Sequence, residues 1–108
     1  MITKLGKLKN VRFGFGGYQD TQFGLSVTIS GKGLSVEDFR GHWAMERTEG
    51  TKWTEEDRRN ELADMAFYVR DLLKDAGKMS VDELNGIPVE VTLEGNKLKS
   101  WRILTEVL

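Results

Sequence analysis

A glycine-rich stretch near the N-terminus carries the first group of residues that could do chemistry. It contains Phe15, Gly16, Gly17, Tyr18, Gln19 and Asp20. Glycines allow a backbone to approach a ligand closely, and the ring, amide and carboxylate that follow could stack on that ligand and hydrogen-bond to it. A glycine turn with a polar rim is the competing interpretation. A nucleotide-fold phosphate loop needs a helix directly after its glycines, and because a strand pattern follows here, we exclude that class of site.

The second group lies in a short polar and aromatic stretch that contains Asp38, Phe39, Arg40, His42 and Trp43. Successive side chains of a strand point to opposite faces, so the acid, the guanidinium and the imidazole share one face and the two rings share the other. We expect the polar row to face a ligand and the rings to back it from the core. A surface salt bridge between Asp38 and Arg40 is the competing interpretation.

Several classes of chemistry are excluded by residues that the chain lacks. It has no cysteine, which excludes disulfides, thiolate nucleophiles and cysteine-based metal sites. Its single histidine, His42, excludes a multi-histidine metal centre, although a site of His42 with Asp20 and Asp38 stays open as an alternative. No G-x-S-x-G nucleophile turn occurs. We therefore expect a non-enzymatic protein with no metal and no cofactor. Its expected ligand-binding residues are Phe15, Gly16, Gly17, Tyr18, Gln19, Asp20, Asp38, Arg40, His42 and Trp43.

The charged residues are unevenly distributed, although 16 Lys and Arg nearly balance 17 Asp and Glu. Residues 1–53 hold eight basic and five acidic side chains, and residues 54–86 hold five basic and nine acidic ones. The basic excess coincides with the predicted strands, so it could steer an anionic ligand toward the sheet. A plainer interpretation is that the sheet and the helix carry solvent-exposed faces of opposite net charge.

The hydrophobic pattern predicts a single α+β domain over residues 1–108. Period-two alternation indicates five strands, which we place at residues 5–15, 23–30, 38–44, 89–94 and 98–107. The apolar residues change parity near Lys9-Asn10 and again near Lys99-Ser100, and each change predicts a β-bulge. The expected architecture is an antiparallel sheet of about five strands with one long helix packed on one face.

The helix is the strongest local signal. Thr54 supplies an N-cap hydroxyl, acids fill the first turn, and Gly77 supplies a left-handed C-cap. Apolar residues recur between these caps at spacings of three and four, which predicts one buried stripe. Its members are Leu62, Met65, Ala66, Val69, Leu72, Leu73 and Ala76.

Four sequence blocks are distinctive. They are VRFGFGGYQD at 11–20, FGLSVTISG at 23–31, DFRGHW at 38–43 and GIPVEVTLEGNKLKSWRILTEV at 86–107. Together these blocks resemble a family of small uncharacterised proteins of tailed phages and prophages. The family often carries an extra glycine or tryptophan before the Asp-Phe pair, where residues 34–37 read LSVE here. The resemblance implies an accessory role in an infected bacterial cytoplasm and transfers no chemistry.

These observations lead to a functional expectation. We expect a phage accessory protein that inhibits or sequesters a component of host defence, by binding either a small anionic ligand such as a nucleotide or a host protein. The alternative is an accessory of phage DNA replication or recombination that contacts single-stranded DNA through the sheet. Nucleic acid is the less favoured partner because the net charge is −1. No apolar run reaches 18 residues and no signal peptide is recognisable, so we expect a cytoplasmic protein without a membrane partner.

The C-terminal end of the chain suggests self-association. The predicted last strand carries Ile103, Leu104, Val107 and Leu108, and a long apolar edge strand is usually either covered or paired. We expect a symmetric homo-oligomer, most simply a dimer, with the two polar stretches near a shared groove. A monomer with a shielded last strand is the competing interpretation.

Overall fold

The computed structural model describes residues 1–17, 19, 22–43 and 54–108, and it describes His42 and Trp43 by their backbone alone. The described residues form five strands and one long helix, α1, which spans Glu55–Ala76. The strands are β1 Ile2–Gly16, β2 Gln22–Gly31, β3 Leu34–Trp43, β4 Pro88–Glu94 and β5 Lys97–Ile103. The predicted α+β architecture is confirmed.

The five strands form one antiparallel sheet in the order β3-β2-β1-β4-β5. β1 lies at the centre because it pairs with β2 along most of its length and with β4 through its first half. The sheet curls until its two edge strands meet under α1. There Trp101 Nε1 of β5 donates a hydrogen bond of 2.8 Å to Asp38 Oδ2 of β3.

A β-bulge in β1 explains the first change of parity in the sequence. The register with β2 shifts between Lys9 and Arg12, and Asn10 takes the left-handed φ of 50° that asparagine tolerates. The bulge turns both Leu8 and Val11 inward, where each is buried. Asn85 Oδ1 accepts the Val11 N–H at 3.0 Å, so the freed backbone donor keeps a partner. The predicted bulge near Lys9-Asn10 is confirmed.

The inner face of the curled sheet and α1 enclose the core. Buried side chains from all five strands, from α1 and from the segment before β4 form one cluster, whose most buried members include Leu8, Ile29, Leu84, Val89 and Val91. Helix α1 begins at Glu55 as predicted, because Thr54 Oγ1 accepts the Asp57 N–H at 3.0 Å and Asp57 Oδ2 accepts the Thr54 N–H at 2.9 Å. It ends at Ala76, and Gly77 caps it with a left-handed φ of 68°.

The predicted helix stripe needs one correction. Met65 and Ala76 are buried and Leu62, Val69, Leu72 and Leu73 are partly buried, as expected, but Ala66 is exposed. Tyr68, which lies three residues after Met65 and four before Leu72, packs against the core in its place. The Tyr68 ring lies beneath the guanidinium of Arg40 on the edge strand β3.

Three strand boundaries also differ from the prediction by three residues or more. β1 starts at Ile2, three residues early, because its first residues pair with β4. β3 starts at Leu34, four residues early, because the tight turn at Lys32-Gly33 pairs Gly31 directly with Leu34. β5 ends at Ile103 rather than at residue 107, since Leu104 turns inward and a 3₁₀ turn occupies Thr105–Val107. No helix of the described residues is long and apolar enough to cross a membrane.

Candidate ligand-binding groove on the outer face of the sheet

The outer face of β2 is a row of small residues. Inward-pointing Leu25, Val27 and Ile29 are buried, and the residues that alternate with them on the outer face are Gly24, Ser26, Thr28 and Ser30. The neighbouring strands carry larger side chains on this face, so β2 forms the floor of a trough between β1 and β3. Helix α1 lies on the inner face and leaves this floor open.

A groove of about 640 Å³ occupies the trough. Its side-chain lining comes mainly from Arg12, Ser26, Thr28, Glu37 and Phe39, and the backbone of the glycine-rich end of β1 completes it. Arg12, Ser26 and Phe39 are paired in register across three strands. A guanidinium, a hydroxyl and an aromatic ring therefore follow one another over about 10 Å, at roughly 4.8 Å per strand.

The Phe39 ring occupies space that two neighbouring glycines leave free. A Cβ on Gly16 would lie 2.8 Å from Phe39 Cε2, and a Cβ on Gly41 would lie 2.7 Å from Phe39 Cε1. Real Cβ atoms do not approach an aromatic carbon so closely, so these two positions must lack a side chain for the ring to lie here. The ring is half-buried, and its remaining surface lines the groove.

Arg12 stands at the opposite wall, directly after the bulge. Its Nη2 donates to the Phe15 carbonyl oxygen at 2.6 Å, which holds the exposed side chain along β1. A guanidinium has five N–H donors in a planar fork, so one such bond orients the group and leaves donors for an anionic ligand.

The wall that β1 contributes is positively charged. Lys7, Lys9 and Arg12 all project from the outer face of β1 and are all exposed. Glu37 of β3 is the acid across the floor, in register with Thr28 and Lys9. Closely spaced cations at one side of a concave surface attract an anion to that side.

The glycine-rich stretch reaches this groove in part. Phe15, Gly16 and Gly17 line it. Gln19 has a left-handed φ of 53°. Tyr18 and Asp20, with the side chains of His42 and Trp43, lie outside what the structure describes.

The polar row of β3 lies elsewhere. Asp38 and Arg40 share one face of β3, as the alternation predicted, but that is the inner face, in register with Val27 and Leu25. Asp38 lines the groove only from behind, because its carboxylate accepts the Trp101 hydrogen bond on the inner side. Phe39, which we expected to back the row from the core, instead lies on the outer face over the glycines.

Arg40 belongs to a seam between α1 and the two sheet edges. Its guanidinium carbon lies 4.2 Å from the centre of the Tyr68 ring. Burial raises the pKa of the Tyr68 hydroxyl, and the nearby Arg40 charge partly opposes that rise. A second cavity of about 490 Å³ opens here, between Arg40, Tyr68, Trp101 and Arg102. The contacts of Asp38 and Arg40 join the edges of the sheet to α1.

The residues that sequence reasoning missed are Arg12, Ser26, Thr28 and Glu37, with Phe39 as a groove residue. For Arg12, Ser26 and Thr28, the sequence pattern did contain a signal. The bulge places Arg12 on the same face as the small polar residues that alternate along β2.

The described part of the chain was compared with the requirements of a metal site and with known proteins. No cluster of three or more His, Cys, Asp or Glu that could hold a metal ion occurs within the described ranges. Comparison with known proteins found no matching family model, no matching curated protein and no matching solved structure. The geometry of the groove is therefore the basis for a functional proposal.

Proposed function

We propose that this chain is a non-enzymatic binding protein that holds a small anionic ligand with a planar ring, such as a nucleotide, in the groove on the outer face of the sheet. The observation that carries the proposal is the row of Arg12, Ser26 and Phe39 in register across three strands. A nucleotide presents the matching groups in the same order, which are a phosphate, a sugar with hydroxyls and a flat base.

Each part of the row has a separate task. Arg12 binds the phosphate through charge-assisted hydrogen bonds, which contribute about 1.5–3 kcal/mol each. Ser26 and Thr28 on the floor exchange hydrogen bonds with the sugar hydroxyls. Phe39 packs against the base, a contact that contributes about 1–3 kcal/mol when it is a stack. Glu37 keeps the opposite wall from attracting a second phosphate.

The biological role that we propose combines this groove with the phage resemblance. A phage protein in an infected bacterial cytoplasm can block host defence by sequestering a nucleotide signal. Sequestration requires affinity and no chemical step, so binding groups alone suffice for it.

Single-stranded DNA is a second candidate because Lys7, Lys9 and Arg12 follow one another along the outer face of β1. A strand of nucleic acid laid along β1 would place successive phosphates against these cations. Three cations make few phosphate contacts, so they supply little affinity, and salt weakens what they supply. We therefore expect no sub-micromolar affinity for an oligonucleotide at physiological salt, and finding it would favour the replication or recombination role.

Calorimetric titration with adenosine monophosphate, adenosine and inorganic phosphate tests the proposal. We expect the monophosphate to bind more tightly than either fragment, because only it contacts both Arg12 and Phe39. Arg12→Ala should lower its affinity about tenfold to a hundredfold and remove its advantage over adenosine. Phe39→Leu should remove its advantage over phosphate. Arg59→Ala, in a helix side chain that is 79% exposed, is the matched control and should change nothing.

Two outcomes would overturn the proposal. One is the absence of binding for all four common nucleoside monophosphates at millimolar concentration. The other is undiminished binding by the Arg12 and Phe39 variants when their circular dichroism matches the parent chain. Chromatography of the nucleotide after long incubation tests the non-enzymatic part, and we expect the ligand to be recovered unchanged.

A further inference from the structure

A second groove lies at the other end of the outer face, and its lining is almost entirely apolar. It has a volume of about 410 Å³. Leu5, Pro88, Leu104 and Val107 supply most of its lining, and Lys7 lies at its rim. Leu5 is 65% exposed and Val107 is 64% exposed, although both are large apolar side chains. Leu108 beside them is also exposed.

Exposed apolar side chains that adjoin an apolar groove mark an interaction surface. Leaving Leu5, Val107 and Leu108 in water forgoes the stabilisation that burial of such side chains brings. A partner that covers the groove would recover part of it. The small anionic ligand of the proposed function does not fit here, because the groove offers almost no polar group to it.

The charges on the two sides of this groove have opposite sign. Exposed Lys7 and Lys32 lie on the side of β1 and β2. Glu90 and Glu106 lie on the side of β4 and β5, where both accept hydrogen bonds from Arg102, at 3.2 Å and 3.0 Å. Next to the groove these two acids and one guanidinium leave a net charge of −1, while Lys97 and Lys99 lie at the far end of β5.

We propose that a second copy of this chain covers the groove in a twofold symmetric dimer. A surface with an apolar centre, a basic side and an acidic side is complementary to itself when it is rotated by 180°, because each lysine side then faces the acidic side of the other copy. The exposed apolar side chains Leu5, Val107 and Leu108 of the two copies then pack against each other across the groove. This interface replaces the edge-strand pairing expected from the sequence, because β5 ends at Ile103, which is buried together with Leu104.

Sedimentation equilibrium on the whole chain tests this proposal across micromolar and sub-millimolar concentrations. We expect a mass of about 25 kDa, twice the 12.3 kDa of one chain. Leu5→Lys and Val107→Lys should each shift the mass to that of one chain. Lys7→Glu should raise the dissociation constant at least about tenfold, because it places like charges opposite each other. Met79→Lys is the matched control, since Met79 is 89% exposed and lies outside the groove, and it should leave the dimer intact.

A wild-type mass of 12.3 kDa at the highest concentration would overturn the proposal and leave the groove to a partner of another kind. A dimer that survives the Leu5→Lys and Val107→Lys double substitution would overturn it as well, because the copies would then meet at a different surface. Circular dichroism confirms that each variant is folded before its mass is interpreted.

Discussion

Three glycines form one row across β1, β2 and β3, yet they are glycines for different reasons. Gly14, Gly24 and Gly41 are paired in register. A Cβ on Gly24 would collide with the Arg40 carbonyl oxygen and the Gly41 Cα, so the close approach of β2 and β3 requires its absence. A Cβ on Gly14 would meet no described atom within 4 Å. The sequence alone does not distinguish these three glycines. The atoms that an added Cβ would meet in the folded sheet do distinguish them.

Alanine at two of these positions should therefore have opposite effects on stability. We expect Gly24→Ala to lower the free energy of unfolding by about 2 kcal/mol or more, since the neighbouring backbone must move. We expect Gly14→Ala to leave it unchanged or to raise it by about 0.5 kcal/mol, because alanine restricts the unfolded chain. Urea denaturation of the two variants measures both values. Equal losses would show that Gly14 is also packed.

Helix α1 is the element that the sequence predicted best. Its start at Glu55 and its end at Gly77 depend on contacts within a few residues, which a linear pattern records. The exposure of Ala66 and the packing of Tyr68 depend on how α1 crosses the edge strands. The last strand was predicted too long because Leu104 and Val107 are as apolar as strand residues, while the 3₁₀ turn that carries Val107 is set by tertiary packing.

The packed face of α1 can be tested by truncating two side chains of similar size. Leu72 packs against the core, whereas Phe67 is 53% exposed on the other side of the helix. We expect Leu72→Ala to lower the free energy of unfolding by about 2 kcal/mol, at the low end for a core leucine because Leu72 is only partly buried. Phe67→Ala should cost about 0.5 kcal/mol or less. Thermal unfolding of both variants compares them, and a larger loss for Phe67→Ala would reverse the assignment of the faces.

The candidate site was predictable only in part, because tertiary packing decides which face of each strand is covered. The glycine-rich end of β1 is visible in the sequence and does line the groove. The polar row of Asp38 and Arg40 looked equally suited to a ligand, because alternation assigns residues to a face without saying which face is covered. The curl of the sheet turns that row toward Trp101 and Tyr68 and leaves Phe39 outside.

At the scale of the whole molecule, the fold is closed by the seam where α1 meets both edge strands. Tyr68 lies in this seam, and burial raises the pKa of its hydroxyl above the ordinary value of 10.0. The unfolded chain therefore releases this proton at a lower pH than the folded chain does. By linkage, the free energy of unfolding falls as the pH rises above 10.0 and stops falling above the raised pKa.

This alkaline loss of stability should disappear in a variant without the hydroxyl. Tyr68→Phe keeps the ring beneath Arg40 and removes the titrating group. We expect its unfolding free energy, measured by urea denaturation at a series of alkaline pH values, to decline less than that of the parent chain. A parallel decline in both chains would show that the seam does not bury the hydroxyl.

The two outer-face grooves differ in the chemistry of their lining. The groove at Arg12 and Phe39 is polar and positively charged on one wall, and the groove at Leu5 and Val107 is apolar. The ligand and the second chain that we propose would therefore occupy different grooves. The central claim concerns the first groove.

That claim is tested most directly by mapping amide chemical shifts while adenosine monophosphate is added to isotopically labelled protein. We predict that the largest changes fall on Arg12, Ser26, Thr28 and Phe39, which share the outer-face groove. Arg40, Tyr68 and Trp101 of the inner seam should move little. Saturating changes confined to the seam, or no changes at millimolar nucleotide, would contradict the account.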